Sequence, residues 1–343
     1  MSPAGRSDTT KAVAAGAVAV AAVLSLAACS GSAANVASSR TTNARSSAGL
    51  IIELSGPLST PGFSQRKLGS NAAAKAMGLN YQYSAPASLN NFAQDYTALI
   101  DQAIARHPAA MVIGNFIPSA FDPLIKKATA AGIPVVVQDS GISSYRADGA
   151  IAYVGQSPET IGESAASSAL KAGAHHLLCV DQTTNPLVEQ ICVDAKAAMD
   201  KAGGSYDQLN VPLTDIGNPA ALTQDIQGYL SSHSDVDGVF TAGSGFGTDA
   251  AAAVGNLGKT GTIKVGGNEV IGATLQDVKA GNIQYEIGIQ PYLMGYYSVQ
   301  IAGEYLKSGQ YPQEPVITSG LVIDKSNVDT YVSIDREAPG VLG

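Results

Sequence analysis

Two short apolar runs in this chain end on a polar residue at the same spacing. In Ala131-Gly132-Ile133-Pro134-Val135-Val136-Val137-Gln138-Asp139, a glycine stops a helical pattern carried by Phe121, Leu124, Ile125 and Ala128. A β-branched run follows it, and Asp139 stands just past that run. The order recurs in Thr260-Gly261-Thr262-Ile263-Lys264-Val265-Gly266-Gly267-Asn268, where Asn268 follows Gly261 as Asp139 follows Gly132. Near-continuous apolar runs of this length read as strands buried on both faces of a parallel sheet. The carboxyl ends of such strands are where open α/β sheets bind ligands. Asn115, after the run Met111–Gly114, is a third polar residue of this kind. A carboxylate that accepts and carboxamides that both donate and accept are suited to holding a polar solute between two strand ends.

Residues suited to bond making or breaking do not combine. Ser244 lies in Gly243-Ser244-Gly245-Phe246-Gly247, but Ala242 and Phe246 break the pattern of a nucleophile elbow. The same stretch lacks the third glycine spacing of a dinucleotide fingerprint. His175 and His176 are adjacent, so on a strand they face opposite ways and cannot chelate one ion. His107 before Pro108 and His233 in a loop read as surface residues, and Asp235-Val236-Asp237-Gly238 lacks the later glutamate of a calcium loop. No catalytic residue, metal site or cofactor is expected.

The elements that would position these residues alternate. Strands are predicted at Gly49–Leu54, Met111–Gly114, Ile133–Val137, His176–Val180, Tyr206–Val211, Val236–Thr241, Ile263–Gly267 and Ile283–Ile289. Helices are predicted at about Ser64–Met77, Leu89–Ala105, Leu187–Ala202, Ala220–Ser231, Thr248–Leu257, Ala273–Ala280 and Met294–Lys307. Another starts at Ser157-Pro158-Glu159, an N-cap followed by proline and an acid. Alternation of this kind predicts an α/β protein of two doubly wound parallel-sheet domains, and 343 residues suffice for both.

Arg6 and Lys11 precede the uncharged run Ala12–Leu26, which closes on Leu26-Ala27-Ala28-Cys29. This resembles a bacterial lipobox and implies a signal peptide over 1–28 with a lipid on Cys29; a plain signal peptide or an N-terminal anchor is the alternative. The Ser/Ala/Asn/Thr-rich segment 29–48 cannot bury enough apolar area to fold and reads as a tether. Outside the cytoplasm, Cys179 and Cys192 are either a disulfide or two small buried hydrophobes. A net charge of -8 without a basic stripe argues against nucleic acid as a partner.

Ala131–Asp139, Gly266-Gly267-Asn268 and Gln290-Pro291-Tyr292-Leu293-Met294-Gly295-Tyr296 together resemble the ribose/galactose-type family of periplasmic sugar-binding proteins, over about residues 49–330. The resemblance implies two lobes joined by three hinge crossovers, near Val154, Gln290 and Thr318. The first lobe is then 49–154 plus 291–318, and the second is 155–290 plus 319–343. It further implies a monomeric, lipid-anchored receptor on the outer face of the cytoplasmic membrane, handing a small sugar or polyol to ABC permease subunits. A sensing receptor of the same fold, including one for a furanone-type signal, and a lipid-anchored carbohydrate-active enzyme are the alternatives.

By the same resemblance, the solute meets the ring of Phe63, Asp139, Asn268 at a position usually held by aspartate, and Gln290 at a crossover. Asn115, Ser244, Phe246 and Tyr292 are further candidates, with plain loop or core roles as the alternative. Ser140 stands where ribose binders carry arginine, and a second family arginine falls at Ile191 or Cys192. Losing two guanidinium forks weakens directional hydroxyl recognition, which leaves a polyol, a smaller or modified sugar, or another polar metabolite as the solute. On this reading, Asp139→Ala abolishes the solute-induced rise in melting temperature and leaves the unliganded melting point nearly unchanged, as measured by thermal shift.

Overall fold

Strands that are apolar throughout need helices on both faces, and the chain supplies them in two similar halves. The computed structural model describes residues 49–182, 186–212, 215 and 218–337. The expected signal peptide, Cys29 and the expected tether lie outside the described residues.

The first lobe is built on β1 (Leu50–Leu54), β2 (Asn80–Ser84), β3 (Ala110–Gly114), β4 (Val135–Asp139) and β5 (Ala152–Gly155). Helices α1 (Pro61–Met77), α2 (Phe92–Ala105) and α3 (Pro118–Ala130) connect its strands. The second lobe contains β6 (His176–Gln182), β7 (Ser205–Val211), β8 (Gly238–Ser244), β9 (Lys264–Asn268) and β10 (Tyr285–Gly288). Its helices are α4 (Pro158–Ala172), α5 (Pro186–Lys201), α6 (Pro219–Ser232), α7 (Gly247–Asn256) and α8 (Gly272–Ala280). Then α9 (Pro291–Ser308) returns to the first lobe and packs on α1. The short β11 (Val316–Ile317) joins the first sheet, β12 (Leu321–Asp324) joins the second, and α10 (Val328–Glu337) packs on α8.

The strand orders are β2-β1-β3-β4-β5-β11 and β7-β6-β8-β9-β10-β12, the same winding twice. Each sheet reverses its winding once, between β1 and β3 and between β6 and β8, and the strand ends beside such a reversal form a crevice. The chain passes between lobes at Gln156-Ser157, at Ile289-Gln290 and at Thr318–Gly320.

One strand departs from the all-parallel reading: β12 runs antiparallel to β10. Its direction is forced. β11 is parallel to β5 and points toward the seam, and only three residues separate it from β12. The chain therefore enters the second sheet from the carboxyl ends of its strands.

Each sheet is covered on both sides. Met111, Ile113, Phe121 and Ile125 pack on one face of the first, and Ala73, Val136, Met294 and Val299 on the other. In the second lobe Cys179 of β6 and Cys192 of α5, both fully buried, form a disulfide that ties α5 to the sheet.

Helices α1 and α9 approach more closely than side chains allow. A Cβ on Gly69 would lie 1.8 Å from the Tyr292 carbonyl oxygen, and one on Gly295 would lie 2.0 Å from that of Arg66. Neither Gly69→Ala nor Gly295→Ala can be relieved by a rotamer change, because backbone atoms are struck. Each is expected to cost roughly 1–3 kcal/mol as overpacking, read as a lower midpoint in urea unfolding.

Candidate functional site

Asp139 ends β4 with its backbone in the left-handed region, at φ 70°, and is 6 % exposed. Both oxygens are engaged. Arg66 donates from Nη2 to Oδ2 at 2.9 Å, and Gln156 donates from Nε2 to Oδ1 at 2.7 Å. The Tyr153 hydroxyl lies 2.6 Å from the Asp139 carbonyl oxygen and 2.7 Å from that of Gln156. The strand end and the first crossover are thereby fastened together.

Arg66 comes from α1, three residues beyond Phe63, and its side chain is 2 % exposed. Its Nη1 donates to Ser55 Oγ at 3.2 Å, and its guanidinium carbon lies 5.1 Å from the Phe63 ring centre and 6.0 Å from that of Phe116. Burial works against its charge, but Asp139 first, then Tyr83, Glu53 and Glu269, outweigh it and hold its pKa above the ordinary value. Its Nε is buried without a hydrogen-bond partner. Behind it, burial raises the pKa of Glu53 despite a 2.6 Å hydrogen bond from the Tyr81 hydroxyl.

The facing wall is less charged. Asn268 ends β9, donates from Nδ2 to the Ala242 carbonyl oxygen at 3.1 Å, and has a buried Oδ1 with no partner. One strand over, both carboxyl oxygens of Glu286 are buried without hydrogen-bond partners. Burial pushes that acid well above the usual carboxylate range, with Asp277 and Glu269 adding to the effect. A cavity of about 520 Å³ opens at the seam, between Phe116, Ser140 and Ser143 of the first lobe and Leu187, Gln190 and Asp194 of the second. Ser140 lines it, and its neighbour Asp139 does not.

The remaining expected residues distribute as follows. Phe63 is half-buried, its ring edge-on to Phe116 at 5.5 Å and lying where a Cβ on Gly56 would be. Asn115 is fully buried, and its Nδ2 donates to Asp122 Oδ1 at 2.6 Å and Ser144 Oγ at 3.3 Å. Gln290 serves the hinge: at φ 54° it donates from Nε2 to the Thr318 carbonyl oxygen at 2.7 Å. The backbone of Ser244 lies opposite Asn268. Phe246 is 7 % exposed and packs in the second lobe's core with residues such as Val270 and Leu275. Tyr292 stacks on Tyr296 along α9, with ring centres 6.4 Å apart.

Arg66 and Gln156 are the polar residues here that sequence reasoning missed. The signal for Arg66 was its place one helical turn after Phe63, which puts both side chains on one face of α1. Gln156 had a weaker signal, a polar residue directly after the strand that leads out of the first lobe.

Residues 55–310 match the family described as periplasmic binding protein domain. The xylose/arabinose-binding protein XylF of Sulfolobus acidocaldarius is 27 % identical over 314 residues, 83 % of this chain and 73 % of that protein. A carbohydrate transporter from Acidothermus cellulolyticus, solved in complex with myo-inositol, superposes with a TM-score of 0.75 at 25 % identity, over 86 % of this chain and 99 % of its own. An ABC transporter solute-binding protein from Agrobacterium vitis, bound with alpha-D-tagatopyranose, gives 0.72 at 26 % identity, over 83 % and 97 %.

The ion pair revises what removal of Asp139 should do. Asp139→Ala strands a buried guanidinium, so it is expected to destabilise the unliganded protein by roughly 3–5 kcal/mol and not to leave its melting point unchanged. Arg66→Met combined with Asp139→Leu should recover most of that loss, since a matched apolar pair carries no uncompensated charge. Urea unfolding without any solute reads both; equal midpoints for Asp139→Ala and wild type would show that the pair is not what holds this strand end.

Proposed function

The chain belongs to the periplasmic binding protein family, whose members bind solutes and are not enzymes, and on that premise we propose that it captures a small neutral sugar or polyol between its lobes. The observation that carries this reading is the pairing of strand ends. Asp139, bound to Arg66 and Gln156, ends β4 in one lobe, and Asn268, with an unpartnered buried acceptor, ends β9 in the other. Buried polar atoms without partners are costly, and the hydroxyls of a sugar both donate and accept, so they complete such a set. The Arg66 charge is already balanced by Asp139, which favours a neutral solute over an anionic one. The names of the relatives point the same way: xylose and arabinose, myo-inositol and tagatopyranose are all small, neutral and rich in hydroxyls.

The wider reading is a lipid-anchored receptor that hands its solute to an ABC permease from the outer face of the cytoplasmic membrane. Leu26-Ala27-Ala28-Cys29 supports the anchor, and the solved relative described as an ABC transporter solute-binding protein supports the importer. In the native host, Cys29→Ser is then expected to move the mature protein from the membrane fraction to the soluble one.

Solute capture is tested by thermal shift of the full chain with D-xylose, L-arabinose, D-tagatose, myo-inositol and D-glucuronate. Binding to the folded state alone stabilises it by about 2.7 kcal/mol at a hundred times the dissociation constant. At least one neutral compound is expected to raise the melting temperature, with glucuronate inert. Silence across the neutral panel, or chemical conversion of any member, would count against the assignment.

A further inference from the structure

Glu269 follows Asn268 at the end of β9 and holds a left-handed backbone at φ 73°, an unfavourable conformation for a side chain other than glycine, asparagine or aspartate. Its N–H donates to the Ile287 carbonyl oxygen at 2.9 Å, which fixes the direction in which its side chain leaves the sheet. That direction is across the seam. A Cβ built on Gly62 of α1 would lie 2.3 Å from Glu269 Oε1, so the carboxylate of the second lobe rests against the first turn of a first-lobe helix.

The end of α1 that it meets is short of a cap. Thr60, at the N-cap position, makes no side-chain capping bond, and the first turn contains no acid. Helix N-termini carry unsatisfied N–H groups and a partial positive charge, and an acid placed there is stabilising. Arg66, one turn further along α1, feels the charge of Glu269 as well. Helices α2, α4, α5, α7 and α10 carry a first-turn acid in their own sequence; at α1 one is supplied from the opposite lobe.

We propose that Glu269 is a positioning residue for solute capture: its carboxylate caps α1 across the seam and latches the two lobes together around the bound solute. The proposal rests on the solute-binding reading for its purpose and on the geometry alone for its existence. The contact joins elements of different lobes, so it forms when they close and is lost when they part. Asn268 is the preceding residue, so one turn presents both a solute contact and the latch. Gly62 is part of the device, because any side chain there would displace the carboxylate. Left-handed strain at a non-glycine residue persists where the surroundings impose it, and it clusters at ligand clamps.

Three variants of the full chain test this. Glu269→Ala removes the carboxylate. Gly62→Ala displaces it from the other side while raising helix propensity. Glu269→Gly removes it and also relieves the strained backbone. Phe63 and Ser64 already donate their N–H groups to the Thr60 carbonyl oxygen, so without solute it is hydrogen exchange at the Gly62 amide that should quicken in all three, and small-angle X-ray scattering should shift toward a larger radius of gyration. With whichever of D-xylose, L-arabinose, D-tagatose or myo-inositol raises the melting temperature, stopped-flow dissociation should accelerate roughly tenfold, the span of a favourable helix-terminus charge. Glu269→Gly separates a latch from a merely structural role: its unliganded melting point should hold or rise while its solute leaves faster. Unchanged exchange at Gly62 in Glu269→Ala, or dissociation at the wild-type rate, overturns the latch. Failure of every sugar to bind would sink the solute reading and leave the exchange measurement to decide the latch by itself.

Discussion

A guanidinium and a carboxylate buried together at the seam set most of the conditions that the rest of the structure meets. Taking either charge out of water alone costs several kcal/mol, so each needs the other and both need further hydrogen bonds. Ser55 and Gln156 supply them, from the loop after β1 and from the first crossover. Phe63 and Phe116 flank the guanidinium and keep water from it. The pair thus fixes the depth and rotation of α1. Once α1 is set, Gly69 and Gly295 let α9 lie against its backbone, and α9 is the helix that starts at the second crossover. A single ion pair therefore connects the cleft wall to two of the three segments on which the lobes turn.

Much of the fold was legible because apolar runs and helix punctuation coincide with it. Val135–Asp139 and Lys264–Asn268 are strands ending at the expected polar residues, and Gly132 and Gly261 have the positive φ that their positions require. What escaped has a common cause. Strand β2, with the sequence NYQYS, lies at a sheet edge and has no fully buried residue, so it presents no apolar run. Strands β11 and β12, two and four residues long, take their directions from the third crossover and not from local pattern. The site was harder to read for a related reason. An arginine on a helix is normally solvent-facing, and Arg66 is buried only because its partner arrives from 73 residues away. Phe246, a candidate with a core role as its alternative, packs among residues of the second lobe that are distant in sequence, such as Val180 and Leu222.

The two walls of the seam solve the same problem differently. In the first lobe, Asp139 is paired with a buried arginine at 2.9 Å. In the second, Asn268 is neutral, and the nearby acid, Glu286, is pushed by burial toward its protonated form. Arg66 and Asp139 balance each other and Asn268 is neutral, so the charge left along this part of the seam is that of Glu269, at the first turn of α1. On the proposed reading, recognition comes from the direction of donors and acceptors, not from net attraction. This is the recognition a neutral, hydroxyl-rich molecule requires, and it makes the rigidity of Asp139, Gln156 and Asn268 more consequential than their charge.

That rigidity is reflected in the backbone. Among the described residues, five other than glycine have positive φ, and three of them, Asp139, Glu269 and Gln290, stand at the carboxyl ends of strands or at a crossover along the seam. Each left-handed residue costs on the order of 1–3 kcal/mol unless its surroundings compensate. The compensation at Asp139 is the bond to Arg66, at Gln290 it is the bond to Thr318, and at Glu269 it is the backbone bond to Ile287 together with the contact at Gly62. Only the last of these contacts spans two lobes whose separation can change. Opening the cleft therefore leaves the strain at Glu269 with less to offset it, while Asp139 and Gln290 keep their own partners. The cost of opening falls mainly on the residue that also makes the cross-lobe contact, and closure returns it.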